Sequence, residues 1–263
     1  MDKLSIIMPA YNEEKRIGRT LEVYSFYFES LRKDKILDYE ILVVINNTTD
    51  RTEEIVREIA GKNKRIIYLN LKPGGKGFAV IEGFKDALKR DNNLIGFVDA
   101  DMATLPEDFY FLVKNIGNCG GIIASRYIKG SVINPKPTFQ RRITSRMFNM
   151  LVRSMFFIPY RDTQCGTKIF KRRALESILT SLSMSQWAFD VELIYNLRKK
   201  GFAVREMPTK WSDREYSKIN FLKAGPWMGL AVIRLRLINS PLKDFVRFYD
   251  RMLNLYKISG NNN

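Results

Sequence analysis

Between residues 4 and 124 the chain alternates short, almost wholly apolar runs with longer segments in which apolar positions recur every three or four residues. The runs at 4–8, 39–45, 66–71, 94–98 and 121–124 are too short for helices and predict strands buried on both faces. The segments between them, roughly 13–31, 52–60, 77–89 and 106–115, predict amphipathic helices, with Asp50 and Glu53 spaced as a helix-starting cap. Strand and helix in repetition predict an α/β fold, Rossmann-like, with a mostly parallel central sheet and flanking helices. Ligands of such a sheet bind outside the carboxyl ends of its strands, so the loops after the strands are where chemistry is expected. After Tyr127 the pattern changes: a polar Gly/Pro segment at 130–137 predicts a loop over the site, followed by a basic amphipathic helix over 140–157. A helix over 189–200, a strand over 203–208 and two basic, aromatic-rich segments complete the chain.

Composition narrows the chemistry. The 263 residues include no histidine and only two cysteines, Cys119 and Cys165, which do not form a C-x-x-C pair. Histidine-dependent nucleophilic catalysis, histidine-ligated metals and a disulfide framework are therefore excluded, leaving carboxylates, Lys, Arg and Tyr. A formal charge of +16 predicts polyanionic partners, whether nucleic acid, anionic lipid or phosphorylated substrates. The opening apolar run is too short for a signal peptide, so the mature chain is expected to start here. The best apolar stretch for a membrane span, 228–238, is interrupted by Arg234 and Arg236.

The strongest local signal is Val98-Asp99-Ala100-Asp101, two carboxylates at the end of a predicted strand. In so basic a chain this D-x-D suits a hard divalent cation, Mg²⁺ or Mn²⁺, that neutralises a diphosphate; the alternative is a turn in which the aspartates cap the next helix. Pro9-Ala10-Tyr11-Asn12-Glu13-Glu14 follows the first strand, and Gly74-Gly75-Lys76-Gly77 opens the helix after the third. Glycines there allow close backbone approach while Lys76 faces phosphate oxygens, although the spacing is not that of a nucleoside-triphosphate P-loop.

These motifs, in this order, resemble the family 2 glycosyltransferases, and most closely their dolichyl-phosphate glucosyl- and mannosyltransferase branch. The likeness covers nearly the whole chain, through SIIMPAYNEE, TTDRT, GGKGFAVIEG, VDADMATLPEDF, ASRYIKGS, DTQCGTKIFKR, WAFDVELI and WSDREYSKI. It implies a GT-A fold plus C-terminal amphipathic helices. Carried over residue by residue, it implies a donor site at Pro9, Ala10, Tyr11, Glu13, Asn46, Lys76, Gly77, Asp99, Ala100 and Asp101, with metal at Asp101 and Asp99. Arg126, Arg141, Ser145, Arg214 and Lys218 match positions that gather phosphates. Asp99, Asp101, Arg126, Asp190 and Arg214 are the catalytic candidates, with Asp190 expected either to position a sugar hydroxyl or to cap its helix. Two departures stand out: Asn46-Asn47 where an acidic pair is usual at the second strand's exit, leaving Asn46 to read a base edge, and Ala103 where a glutamine is common in mannosyl relatives.

The resemblance implies inverting transfer of one sugar from a nucleotide sugar, UDP-glucose favoured and GDP-mannose the other option, to a polyprenyl phosphate. A glycosyltransferase with a soluble acceptor is the nearer alternative; no nucleic-acid motif is present, and no nucleic-acid partner is expected. The helix over 140–157 sets Ile143, Met147, Met150, Leu151 and Met155 on one face and Arg141, Arg142, Arg146 and Arg153 around it. Leu242, Phe245, Val246, Tyr249, Leu253 and Tyr256 repeat the pattern. Such helices lie on a lipid interface or cover their own core; with a lipid acceptor implied, peripheral attachment to the cytoplasmic face of a membrane is expected. The catalytic domain is accordingly expected over 1–218 and a membrane-contacting amphipathic segment over 219–263. The oligomeric state stays open.

Overall fold

The computed structural model describes residues 1–182, 188–212, 221–244 and 246. The first part runs β1 (Asp2–Ala10), α1 (Ile17–Lys33), β2 (Leu37–Asn46), α2 (Thr52–Lys62), β3 (Ile66–Leu71), α3 (Lys76–Ala87), β4 (Leu94–Phe97), α4 (Pro106–Lys114) and β5 (Gly121–Ser125). It continues through β6 (Val132–Ile133), α5 (Phe139–Phe156), β7 (Lys168–Lys171), α6 (Arg172–Ile178), α7 (Phe189–Lys199), β8 (Val204–Pro208), β9 (Lys210–Trp211) and α8 (Phe221–Ile238).

The inner parts of the first two strands, residues 4–10 and 41–45, are almost wholly apolar because successive side chains enter different cores. Leu4, Ile6, Met8 and Ala10 join Ile41, Val43 and Ile45 in a core covered by α1, α2 and α4. Ile7, Leu42 and Val44 enter a second core on the opposite face, under α3, α6 and α7. The sheet order is β3-β2-β1-β4-β7-β5-β8, parallel except for β7, which runs antiparallel to both neighbours. The sequence pattern did not predict β7: Lys168-Ile169-Phe170-Lys171 carries only two apolar residues between lysines, too few for any periodicity.

Local chemistry moves other boundaries. The first helix begins at Ile17, not near residue 13, because residues 13–16 form a turn whose Glu13 N–H goes to Thr52 Oγ1 (2.7 Å). The cap expected of Asp50 and Glu53 does not form: the residue before α2 is Arg51, with no side-chain cap, and Asp50 instead accepts the Thr52 N–H (3.0 Å) in a local turn while Glu53 lies in the first turn of α2 beside Glu54. The segment at 130–137 is not simply a loop. It contains β6, which pairs in parallel with β9 and so ties the segment to Trp211.

A third core joins Val152 and Phe156 of α5, Ile123 of β5, Val191 and Ile194 of α7, and Val232 and Leu235 of α8. The inner side of α5 is thus Asn149, Val152 and Phe156, while Phe139, Ile143, Met147 and Met150 are exposed. Of the face read from the sequence, Leu151 is half-buried and Met155 packs against this core, so only Ile143, Met147 and Met150 are left outside it. Trp227, Leu230 and Ile233 of α8 are likewise exposed, and most of the 242–256 stripe lies outside the described residues. Among the described residues no helix is long and apolar enough to cross a membrane.

Phe28 is fully buried and contacts the rings of Tyr27 (5.4 Å between centroids), Tyr39 (5.8 Å), Tyr24 (6.1 Å) and Phe109 (6.2 Å). Phe28→Ala is expected to cost about 3–5 kcal/mol of stability, read as a lower urea midpoint at unchanged m-value.

Candidate active site

The exits of β1 and β2 are laced into one platform. Asn12, held at φ +53°, accepts the Thr49 N–H on its side-chain oxygen (2.8 Å), and its own N–H reaches Thr48 Oγ1 (3.3 Å). Glu14 N–H meets Asp50 Oδ2 (3.1 Å), and Arg51 N–H meets Glu14 Oε2 (3.2 Å). Pro9 and Ala10 end β1 beneath this lacing, Tyr11 stands exposed at the tip, and Glu13 grips Arg16 through both carboxylate oxygens (2.6 Å each). Asn46 is buried. With its amide oriented to satisfy its surroundings, it donates to Ala10 O and accepts from Gly75 N, each at 3.0 Å. Asn46 therefore fastens the β1 exit to the start of α3 and does not present an edge to a base, which corrects the sequence expectation. Gly75 itself has φ +124°, a region open essentially to glycine, and this turn delivers Lys76 to the first position of α3 with Gly77 buried behind it.

Lys76 ion-pairs with Asp99 across the strand ends. Burial alone would lower the ammonium's pKa, but the charges of Asp99, Asp190 and Asp101 outweigh it and hold it above the usual lysine value. Asp101 is pushed the other way from an ordinary aspartate: burial and then the neighbouring Asp99 charge raise its pKa, against the Ala103 N–H that it accepts (2.9 Å). The loop carrying both aspartates is held from below, since Thr20 Oγ1 donates to Ala100 O (2.8 Å) and Tyr24 OH to Thr104 O (2.8 Å). Thr104 and Thr167 hydroxyls share a further bond (2.8 Å). Asp101's contact to Ala103 N is a local turn, not a cap of α4, whose first turn is served by Pro106, Glu107 and Asp108.

The segment entering β7 supplies residues that sequence reasoning did not single out. Lys168 is fully buried, and its ammonium donates to Asp190 Oδ1 (2.5 Å) and Cys165 O (2.6 Å) over the face of Phe97. Asp190 lies in the first turn of α7 but is not its cap, which is Ala188; its partner is Lys168. Asp162, also fully buried, accepts Arg126 Nε (2.7 Å), Nη2 (2.9 Å) and the Arg126 backbone N–H (3.0 Å). Although burial opposes it, this pairing keeps the Asp162 carboxyl below its ordinary pKa and raises that of Arg126. Burial pushes the Cys165 thiol up to about 12, so it is not a nucleophile. The signal for Lys168 and Asp162 was the DTQCGTK motif itself, charged residues inside an otherwise buried run. Gly166 of that motif permits the closest approach: a Cβ there would sit 1.9 Å from Asp99 Oδ2.

On the far side, Arg126 and Arg141 lie over Trp211 (5.3 and 5.8 Å to its centroid), and Arg126 also over Tyr127 (5.4 Å). Tyr127 OH shares a hydrogen bond with Ser145 Oγ (2.7 Å). Arg126, Arg141 and Ser145 are thus brought together, with Arg126 engaged through two of its nitrogens by Asp162. Arg214 and Lys218 lie outside the described residues. α5 is hooked to the β7 segment through Asn149, whose oxygen accepts the Thr163 N–H (3.0 Å).

Gly166→Ala should displace the Asp99 carboxylate, the mobile end of a part-exposed side chain, and so cost little stability while lowering kcat/KM by about 100-fold. Asp162→Asn strands a buried guanidinium and should cost about 3 kcal/mol at neutral pH. Because the Asp162 pKa is lowered on folding, its stabilisation is present above the ordinary aspartate value of ~4 and lost as pH falls through the lower folded value. Stability–pH curves of this variant should show a shallower acid limb than wild type.

The sequence profile described as "Glycosyl transferase family 2" matches residues 5–179. A dolichyl-phosphate beta-glucosyltransferase of Trichomonas vaginalis is 33% identical over 242 residues, covering 89% of this chain and 72% of the relative. The enzyme of that name from Homo sapiens is 30% identical over 253 residues, 90% of this chain and 76% of the relative. Among solved structures, glucosyl-3-phosphoglycerate synthase from Mycobacterium tuberculosis, in complex with Mn²⁺, UDP and phosphoglyceric acid, superposes with a TM-score of 0.62 at 20% identity. That superposition covers 90% of this chain and 78% of the other, and shows the GT-A fold. The profile match across the sheet and relatives at 30–33% identity over most of the chain lead to one assignment: the chain belongs to glycosyl transferase family 2.

Proposed function

We propose that this glycosyltransferase moves a single glucose from UDP-glucose to a polyprenyl (dolichyl-type) phosphate, with inversion, while bound peripherally at the cytoplasmic face of a membrane. The observation that carries the acceptor is the outward stripe of α5, Phe139, Ile143, Met147 and Met150, with Arg142 and Arg146 exposed beside it, next to the Arg126–Arg141–Ser145 cluster. An apolar stripe edged by guanidinium groups fits acyl chains beneath anionic headgroups. The names of the relatives, at about one-third identity over most of the chain, point the same way.

The residues after β4 fit a divalent cation. Among the described residues no group of three or more His, Cys, Asp or Glu could hold a metal, but Mg²⁺ or Mn²⁺ in a nucleotide site commonly takes one or two carboxylates and completes its shell with phosphate oxygens and water. Asp101 and Asp99 supply the carboxylates; burial and then the Asp99 charge raise the Asp101 pKa, and a cation between the two would offset both. Bound there, the cation would offset charge on the departing diphosphate. The platform of residues 9–14 and 48–52 holds the nucleoside with Tyr11 at its edge, and Lys76 faces the diphosphate. Arg126, Arg141 and the Tyr127–Ser145 pair gather the acceptor phosphate, with Arg214 and Lys218 as further candidates. A phosphate monoester, with its second pKa near ~6, attacks as an anion without a general base, which leaves Asp190, held by Lys168, to orient the sugar.

Nucleoside diphosphate release from a panel of UDP- and GDP-sugars should require short-chain dolichyl phosphate and Mg²⁺ or Mn²⁺, with UDP-glucose the best donor. Lipid-independent release stimulated by a soluble metabolite would overturn the acceptor. Asp101→Ala should lower metal-dependent turnover by at least about 100-fold with an unchanged circular dichroism spectrum. Met147→Asp combined with Met150→Asp should abolish co-sedimentation with anionic vesicles, leaving donor binding intact.

A further inference from the structure

Two lysines stand among the carboxylates at the strand ends, and they differ in freedom. Lys168 is fully buried and bonded to both Asp190 and Cys165 O, so it is part of the frame. Lys76 is 41% exposed at its side chain and ion-paired with Asp99 Oδ1, on a carboxylate that is itself 35% exposed. The other Asp99 oxygen is closed off by Gly166. A cation approaching Asp99 from the open side therefore meets an oxygen already paired with the Lys76 ammonium. Lys76 can leave without opening a cavity, and it is anchored at the start of α3, where an arriving diphosphate would also find backbone N–H groups.

We propose that Lys76 is an exchangeable counter-ion: without donor its ammonium takes the divalent cation's place beside Asp99, and it passes to the diphosphate when cation and nucleotide arrive together. This deepens, and rests on, the donor-site reading above. Its consequence is linkage. Metal alone must compete with Lys76, and nucleotide alone must draw Lys76 from Asp99 and meet two uncompensated aspartates, so each ligand strengthens the other by the same factor. An enzyme built this way does not load metal ahead of substrate.

The test is a binding matrix on the full chain. Mn²⁺ is titrated with and without UDP, and in parallel GDP, by electron paramagnetic resonance of unbound Mn²⁺; UDP and GDP are titrated calorimetrically in EDTA and in saturating Mn²⁺. Lys76→Met should have opposite effects on the two ligands, tightening Mn²⁺ alone by about tenfold through removal of a competing charge while loosening the nucleotide by about tenfold. The coupling factor should fall toward one. Lys76→Arg, which keeps the charge, should leave Mn²⁺ binding as weak as in wild type. Unchanged or weaker Mn²⁺ binding by Lys76→Met, with nucleotide binding still metal-dependent, overturns the exchange and spares the donor site. Wild-type protein that binds neither nucleotide in any condition would instead overturn the donor-site reading itself.

Discussion

A lysine ammonium deep in a protein needs an anion and hydrogen-bond acceptors, and Lys168, at the start of antiparallel β7, finds both in Asp190 and the Cys165 carbonyl. Through that contact α7 is set against the middle of the sheet, and the segment leading into β7 is fixed in place. Gly166 then lies where Asp99 must pack, and Asp162 where it grips Arg126. The aspartates after β4 and the arginine after β5 thus share a support, the run from Asp162 to Lys168. Buried charge is costly unless paired, and here the pairing aligns groups from β4, β5, β7 and α7 with one another.

Much of the fold was legible because strands with both faces buried leave unbroken apolar runs; β1, β2, β4 and β5 needed nothing more. β7 was not legible. Its two apolar residues sit between lysines, and the reason one lysine is buried is an aspartate distant in sequence. The site divides similarly. Asp99 and Asp101 announced themselves by position after a strand, and Lys76 by its glycine-rich turn. Asn46 misled, because an amide at a strand exit can face a ligand or brace a neighbouring loop, and only the location of Ala10 O and Gly75 N decides between them. Arg126 stood out through its motif, yet its commitment to Asp162 depends on a pairing across 36 residues that spacing does not reveal.

The exposed stripe on α5 shows how a periodicity argument is settled by a neighbour. An apolar helical face covers its own protein or something else, and sequence offers both. Asn149, Val152 and Phe156 take the inner side, so Ile143, Met147 and Met150 are left outward. The extra inner residue is polar, and it is Asn149 that latches the helix to the segment entering β7.

β5 and β7 lie side by side in the sheet, although the whole of β6 and α5 comes between them in the chain. That excursion leaves and re-enters at adjacent points, so its outer part can change in length while the returning run from Asp162 keeps its grip on Arg126 and its packing against Asp99. The architecture is modular: insertions between β6 and α5 would leave the strand-end carboxylates where they are, because the ends of the excursion are held by neighbouring strands.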